Sequence, residues 1–362
     1  MIKIAFIIPS LEMGGSEQKV IDLASGLDPK VFKPIIITVT KFGALLPKAE
    51  ALGIRVLCTN KKGKFDFSVK NRIAKILKDG QIDIVQVFTS TGKIWGRLGA
   101  IKNHTKVIIS TEESLFRNGF IDRFLERRLN SKTDWIIANS QATKRSALGA
   151  TKISETKYQV IHNGIRLEPF LSSKPTSAIR TSKDEFIITT VARFDPRKRL
   201  DLLIDAFSKC PSHTKLVLIG SGKLDQALKD QVKGLNLESR VAFLGTRNDI
   251  PTLLKESDLF VLPSDEEGFG NVILEAMASN LAVVASNVGG IPEIIQHERN
   301  GLLFEKGNLE ALTNSINRMI DDHLLREKLK TQASKDVYQY RLNEMVKAHE
   351  KTYLMLYQSK VK

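Results

Sequence analysis

The stretch PSDEEGFGNVILEAMAS, Pro263 to Ser279, sets two carboxylates, Glu267 and Glu275, eight positions apart, with Gly268 and Gly270 between them. The apolar run before it, LFVLPS (259–264), reads as a buried strand. NVILEAMAS reads as a helix with Asn271 as a plausible cap. The corner between strand and helix takes the two acids off any common helical face, so they can reach different parts of one ligand. Gly268 and Gly270 let backbone N–H groups face that ligand, because no side chain stands in the way. An acid beside such an anion-binding corner repels phosphate, whereas neutral hydroxyls can donate to it. That points to sugar hydroxyls at Glu267 and ribose hydroxyls at Glu275. A bound metal is the other chemical option, although no Asp-x-Asp pair occurs in the chain. A capping acid beside a solvated acid is the purely structural option.

A second set of residues carries positive charge. The run FIITTVAR (186–193) ends on Arg193, and Lys198 follows in the loop before the next helical pattern. A guanidinium fork and an ammonium point charge together suit a diphosphate. Arg197 and Arg199 crowd the same loop, so a solvated basic face fits the spacing equally well. Near the start, Gly14 and Gly15 make a tight turn between an apolar run and a helix, where unpaired N–H groups can meet an anion. LIGSGK (218–223) resembles a phosphate loop but fails its pattern, with Val217 at the first glycine position and Leu224 after the lysine.

The elements that must position these residues alternate. Apolar runs at 3–8, 34–40, 83–88, 106–111, 134–140 and 158–164 are separated by helix-length segments such as GSEQKVIDLASGL (15–27). These runs are rich in Ile and Val without strict alternation, as strands covered on both faces are. SSKPTSAIRTSKDE (172–185) interrupts the pattern and reads as a linker. The alternation restarts at 186–193, 214–222, 240–246, 259–264, 282–287 and 301–305. The sequence therefore predicts an α/β protein of two tandem Rossmann-like domains. The boundaries fall at 1–171, 172–185 for the linker, and 186–337. The tail 338–360 is a long helical segment whose stripe of Tyr340, Met345, His349, Tyr353, Leu356 and Tyr357 predicts packing.

Composition narrows the classes. At 362 residues the chain exceeds one domain of about 100–200 residues. Cys58 and Cys210 lie far apart, which argues against a disulfide framework and for a reduced, cytoplasmic setting. The start, MIKIAFIIPS, reads as a first strand and not a signal peptide. The net charge is +15, and residues 1–170 hold 28 Lys and Arg against 15 Asp and Glu. A basic first half implies an acidic partner: a phosphate-bearing ligand, an anionic membrane face or a nucleic acid. The segment LFRNGFIDRFLERRLNSK (115–132) interleaves Phe116, Phe120, Phe124 and Leu125 with Arg117, Arg123, Arg127 and Arg128. It is either a membrane-interface helix or an ordinary packed one with a basic edge.

VARFDPRKRLDLLIDAF, LVLIGSG, VAFLGTRNDI, SDLFVLPSDEEGFGNVILEAMA, AVVASNVGGIPEII and NGLLF occur in one order. In that order and spacing they resemble the retaining GT-B glycosyltransferases of group 1 (family 4), and Glu267 to Glu275 matches that family's E-x7-E motif. The resemblance implies two Rossmann-like domains facing each other across a cleft, with the C-terminal helix (338–362) crossing back to the first. It implies retaining, metal-independent transfer from a nucleoside diphosphate sugar, UDP-sugar favoured, without a cofactor. The acceptor would be a glycan or lipid-linked hydroxyl of a cell-surface polysaccharide pathway, met in the cytoplasm or at the inner membrane face. Arg193 and Lys198 would bind the diphosphate and Glu267 the transferred sugar. Amides of Gly268, Phe269, Gly270 and Asn271 would line the sugar pocket. Glu275 would hold the ribose, Leu244 would lie by the base, and Gly15 would face the diphosphate from the first domain.

The chain departs from the family pattern in three places. Gln86-Val87-Phe88 replaces a His-x-His, Glu113 stands in STEES where many relatives have histidine, and Lys198-Arg199 replaces Lys-Gly. Gln86 and Glu113 are thereby candidates on the acceptor side. A non-catalytic sugar-nucleotide binder, a nucleotide-sugar epimerase and a nucleic-acid-binding module are the rival readings. The intact donor motifs oppose the last.

Overall fold

The computed structural model describes residues 1–63, 65–115, 120–151, 153–180, 182 and 184–361, with the side chains of 120–122 excepted. In chain order the first half runs β1 (Ile2–Ile8), α1 (Gly15–Gly26), β2 (Phe32–Thr38), α2 (Leu46–Ala51), β3 (Arg55–Cys58), α3 (Val69–Asp79) and β4 (Ile84–Val87). It continues through α4 (Thr89–Lys102), β5 (Val107–Glu112), α5 (Phe120–Asn130), β6 (Trp135–Ala138), α6 (Gln141–Thr151) and β7 (Tyr158–Val160). The second half runs α7 (Glu168–Ser172), β8 (Phe186–Val191), α8 (Leu200–Phe207), β9 (Thr214–Ile219), α9 (Asp225–Gly234), β10 (Val241–Gly245) and α10 (Ile250–Lys255). It ends with β11 (Leu259–Leu262), α11 (Asn271–Ala278), β12 (Ala282–Ser286), β13 (Leu302–Phe304), α12 (Leu309–Asp321), α13 (His323–Asp336) and α14 (Leu342–Val361).

Two compact units result, Met1–Gly164 with Leu342–Lys362, and Ile165–Arg341. The first is built on a seven-stranded sheet of order β3-β2-β1-β4-β5-β6-β7, the second on a six-stranded sheet of order β10-β9-β8-β11-β12-β13. Every strand pair is parallel. Both sheets are buried on two faces, which is why their strands read as continuous apolar runs. In β1, Ile2, Ile4, Phe6 and Ile8 enter one core while Ala5 and Ile7 enter the other. In the second unit Leu216 and Leu218 of β9 face one side, and Val217 and Ile219 the other. The six strand runs of the second half all form. The first half gains β3, an edge strand with no fully buried residue, whose RVLC lacks the apolar run that marked the others.

The unit boundaries differ from those read in the sequence. The described residues of 172–185 are held in place: Glu256 accepts from the N–H groups of Thr176 (2.7 Å), Ala178 (3.1 Å) and Ile179 (2.8 Å). Ile179 is buried against Ile187, Val217 and Leu253, and Arg180 pairs with Asp258 at 2.7 Å. A Ser/Thr-rich composition therefore marked a strap held by one carboxylate, not a tether. Tyr340 is likewise not part of the terminal helix. It ends a short 3₁₀ turn, Val337–Tyr340, donates to the Glu293 carbonyl at 2.7 Å and meets Phe269 edge-on in the second unit.

α14 begins only at Leu342 and packs on the first unit, as the apolar stripe predicts. Met345, Val346, Tyr353 and Leu356 join the core around β1, and the Tyr353 ring lies edge-on to Phe32 with centroids 5.9 Å apart. Asp28 N donates to Glu350 at 2.7 Å, fixing the helix to the turn before β2.

Candidate active site

In open α/β sheets, ligands lie beyond the carboxyl ends of the strands where the strand order reverses. In the second unit that point lies between β8 and β11. The loop after β8 carries Arg193 and Lys198, and the loop after β11 carries Glu267. One backbone bond ties them, from Asp265 N to the Arg197 carbonyl at 2.8 Å. Lys198 and Glu267 form an ion pair. The Ser264 hydroxyl donates to the same oxygen, Oε1, at 2.8 Å. Ser264 is fully buried and is itself held by Ser286, whose hydroxyl donates to its carbonyl at 2.5 Å. Glu267 is thus anchored through one oxygen. Its Oε2 makes no hydrogen bond among the described residues.

The glycines around Glu267 fix its backbone. A Cβ on Gly289 would lie 1.8 Å from the Glu267 carbonyl oxygen, so the NVGG loop approaches as only glycine allows. Gly290 N then donates to that oxygen at 3.2 Å. Gly270 caps α11 with φ of 100°. The Phe269 ring is buried beneath the loop, so only its backbone is available to a ligand. Gly268 and Asn271 lie in the same turn. The glycines of LIGSG serve packing: a Cβ on Gly220 would fall 1.9 Å from the Ala192 carbonyl.

Glu275, on the second turn of α11, is half-buried and makes no side-chain hydrogen bond among the described residues. Burial pushes its carboxyl up to about 7. Arg193 is exposed, and its guanidinium has no hydrogen bond or ion pair among the described residues. Leu244 is half-buried at the end of β10, against Ile219 and Leu253. This edge therefore offers an open carboxylate oxygen, an unpaired guanidinium and a second acid without a partner.

Arg199 sits in the left-handed region, with φ of 48°, at the N-terminus of α8. It pairs with Asp201 at 3.2 Å and Asp265 at 3.4 Å. A residue without Cβ would take that conformation at no cost.

The first unit has the same switch point, between β1 and β4. Gly15 is exposed at the start of α1. Gln86 does not open to a ligand. It is fully buried, donates to Thr111 at 2.9 Å and accepts from the Tyr353 hydroxyl. Glu113, just past β5, pairs with the buried Lys19 of α1 at 3.2 Å, and its Oε2 is a buried acceptor with no hydrogen bond. Sequence reading missed Lys19, whose only signal was a charge within the buried run of α1. It also missed Ser264, Ser286 and Gly289.

Below Glu113 lies a closed charge network. Lys93 pairs with Glu112 at 2.6 Å, and Arg97 with Glu126 at 2.8 Å and Asn130 at 2.5 Å. It joins α4, β5 and α5. Phe116 and Arg117 lie outside the described residues, as does the side chain of Phe120. Among the described residues, no group of three His, Cys, Asp or Glu side chains is placed to hold a metal ion.

The family described as Glycosyl transferases group 1 matches residues 175–336, and that described as Glycosyltransferase Family 4 matches residues 13–169. A Campylobacter jejuni protein, N-acetylgalactosamine-N,N'-diacetylbacillosaminyl-diphospho-undecaprenol 4-alpha-N-acetylgalactosaminyltransferase, is 28% identical over 346 residues, 92% of this chain and 94% of that one. The N-acetyl-alpha-D-glucosaminyl L-malate synthase of Bacillus anthracis is 35% identical over 175 residues, and the match spans about half of each protein, 48% of this chain and 46% of that one. Among solved structures, Anabaena HepE in complex with UDP and glucose aligns with a TM-score of 0.88 at 25% identity, covering 98% of this chain and 100% of that one.

Proposed function

The chain belongs to the glycosyl transferases of group 1, with a family 4 first half and GT-B architecture, and from that premise we propose that it moves a hexose, with retention, from a nucleoside diphosphate sugar to a hydroxyl acceptor. UDP-sugar is the favoured donor, in keeping with the UDP held by HepE. A lipid-linked glycan is the favoured acceptor, in keeping with the diphospho-undecaprenol named for the Campylobacter relative. That acceptor would be met at the cytoplasmic face of a membrane. No described helix is long and apolar enough to cross one.

The observation that carries the reading is Glu267, anchored through Oε1 by Lys198 and Ser264 with Oε2 open, beside an unpaired Arg193. In the proposed complex the diphosphate takes hydrogen bonds from Arg193 and Lys198, and hydroxyls of the transferred sugar donate to Glu267. As the glycosidic bond breaks, charge builds on the departing diphosphate, which the two cations offset. Lys198 meets that charge after loosening its bond to Glu267, so the pair exchanges partners when donor arrives. Backbone groups of Gly268, Phe269, Gly270 and Asn271 line the sugar. Glu275 accepts from ribose hydroxyls, Leu244 packs near the base, and the open turn at Gly15 is assigned to the diphosphate by family resemblance.

Nucleotide release from a panel of UDP- and GDP-sugars, with and without acceptor, tests the transfer. A non-catalytic binder would be stabilised thermally by a donor yet release no nucleotide. The anomeric configuration of the product, read by NMR, tests retention. The reaction is metal-independent in this reading, so EDTA leaves the rate unchanged; loss restored by Mn²⁺ or Mg²⁺ overturns that part.

A further inference from the structure

We propose that Arg199 is a positioning residue, which clamps the loop after β8 to the loop after β11 while Lys198 leaves Glu267 for the diphosphate. The inference rests on the donor reading above. The two loops are joined by links of different kinds. Asp265 N donates to the Arg197 carbonyl at 2.8 Å. Lys198 pairs with Glu267. The Arg199 guanidinium meets Asp265 through Nη1 at 3.4 Å. The exchange of partners assigned to Lys198 breaks its own link just when charge builds on the departing group. The main-chain bond and the Arg199 pair are then what keep the loops at one separation, so that Lys198 and Glu267 stay in reach of one ligand.

The chain holds Arg199 where a side chain is costly. Its φ of 48° and ψ of 42° lie in the left-handed region, which a residue with a Cβ takes only against a steric penalty. Such conformations persist where neighbouring contacts over-determine them. The turn before it does part of that. The Asp195 carboxylate accepts from Arg197 N at 3.0 Å, and Lys198 N donates to the Asp195 carbonyl at 3.0 Å. The left-handed residue then swings the chain from this 3₁₀ turn, Pro196–Lys198, into α8. At that corner the guanidinium fork points two ways. Nε and Nη2 reach Asp201 on the first turn of α8, both at 3.2 Å, and Nη1 reaches Asp265. Only the second contact leaves the segment, so only it can clamp. A lysine would bring a single point charge to the same corner.

The same pairs sort the crowded charges of the loop. Asp265 stands two residues before Glu267, where an unmatched carboxylate would oppose an arriving diphosphate. Arg199 matches it, and Arg197 matches Asp195 at 2.9 Å. Two of the four basic residues between 193 and 199 thus answer the loops' own acids, which leaves Arg193 and Lys198 for the ligand. The Arg199 and Asp265 side chains are 27% and 35% exposed, so water weakens their pair and its effect is modest.

The clamp is tested first on the full chain without donor, where Lys198→Ala reproduces the moment at which Lys198 has left Glu267. Hydrogen exchange is followed in peptides covering 263–271, with the Asp265 N–H as reporter. Arg199→Gly should quicken it about two- to fivefold, the scale of one exposed ion pair. Lys198→Ala/Arg199→Gly should quicken it by more than the product of the two single changes. Asp265→Asn should match Arg199→Gly, and combining those two should add nothing. Arg199→Asn tolerates the left-handed backbone but lacks the cation, so it separates loss of the pair from the looseness of glycine. Asp201→Asn, which cuts no link between the loops, should exchange as wild type does. With donor and acceptor, Arg199→Gly and Arg199→Asn should lower kcat and kcat/KM by the same two- to fivefold, with donor KM unchanged and the melting temperature level or raised. Exchange unchanged in Arg199→Gly and in Lys198→Ala/Arg199→Gly overturns the clamp. Quickened exchange with a normal kcat, or a raised KM alone, overturns the positioning role. A wild type that releases no nucleotide from any donor defeats the transfer reading instead, and the exchange arm still decides the clamp by itself.

Discussion

At the switch point of the second unit, Glu267 keeps one oxygen open, and Arg193 and Glu275 have no side-chain partner among the described residues. At the same point of the first unit, Gln86 is spent on Thr111 and Tyr353, and Glu113 leans on a buried lysine. The strand order through both points is the same. The difference lies in who completes each site. The second unit satisfies its carboxylate just enough to aim it, through Ser264 and Lys198, and leaves the remainder for a ligand. The first unit spends Gln86 on seating α14, while Glu113 is held by Lys19 of α1 through one oxygen, its buried Oε2 making no hydrogen bond among the described residues. Preorganisation for chemistry and cohesion of the fold thus compete for the same positions on the same architecture.

The largest effect should come from breaking the open site. Lys198→Ala removes one preorganised cation and should cost ~2–4 kcal/mol in the transition state, roughly 30- to 1000-fold in kcat. Ser264→Ala leaves Glu267 on one tether and should cost less. Steady-state kinetics measure both, and near-normal turnover of Lys198→Ala would reduce the loop after β8 to a solvated face.

Next comes the closed site. Tyr353→Phe strands the fully buried amide oxygen of Gln86, at a cost of ~1–3 kcal/mol. Hydrogen exchange should show the loss in peptides of the first unit, with donor affinity unchanged. Equal loss of protection in both units would mean that the sites are not separable.

The two units should also answer pH in opposite directions. Folded Glu275 keeps a proton up to about 7 that the unfolded chain sheds from its ordinary 4.5 upward, so stability of the second unit falls as pH rises through that window. His349, on α14, is pushed down to about 3 by burial and by nearby Lys19. It stays neutral where the unfolded chain takes a proton below 6.5, so stability of the first unit falls as pH drops from 6.5. Each slope is at most ~1.4 kcal/mol per pH unit, and that of Glu275 is smaller because water still reaches it. Glu275→Gln should flatten one response and His349→Gln the other. Ribose hydroxyls favour the ionised form of Glu275, so donor binding near neutral pH should release a proton, seen by calorimetry in buffers of different ionisation enthalpy.

The smallest effect is expected at Arg199. Arg199→Gly relieves its left-handed backbone and should raise stability by ~0.5–1 kcal/mol, less whatever the exposed pairs with Asp201 and Asp265 contribute. A loss in urea denaturation would show that those pairs matter more than the backbone.

Much of this was legible in the sequence where one residue meets one local requirement. The Ile- and Val-rich runs gave all six strands of the second sheet, because strands covered on both faces cannot hide their composition. β3 was missed because an edge strand need not be apolar. Glu267 and Glu275 stood out by spacing and Lys198 by the family resemblance, but the direct bond between Lys198 and Glu267 joins loops 69 positions apart and has no local signature. Gln86 looked like an acceptor-side residue because its strand position is right. Its burial is decided by Tyr353, 267 positions later, which no pattern around Gln86 could reveal. The Ser/Thr-rich strap misled for the converse reason: Glu256 satisfies its backbone, and nothing within 172–185 announces that partner.

α14 is the last helix of the chain and part of the first core. On the ribosome, residues 1–164 emerge long before Tyr353, Met345 and Leu356, so the nascent first domain waits with an unfilled socket against Phe32 and Gln86. The second unit, Ile165–Arg341, is continuous in sequence. The half synthesised first is therefore the one whose core waits for a segment made after the whole of the second unit.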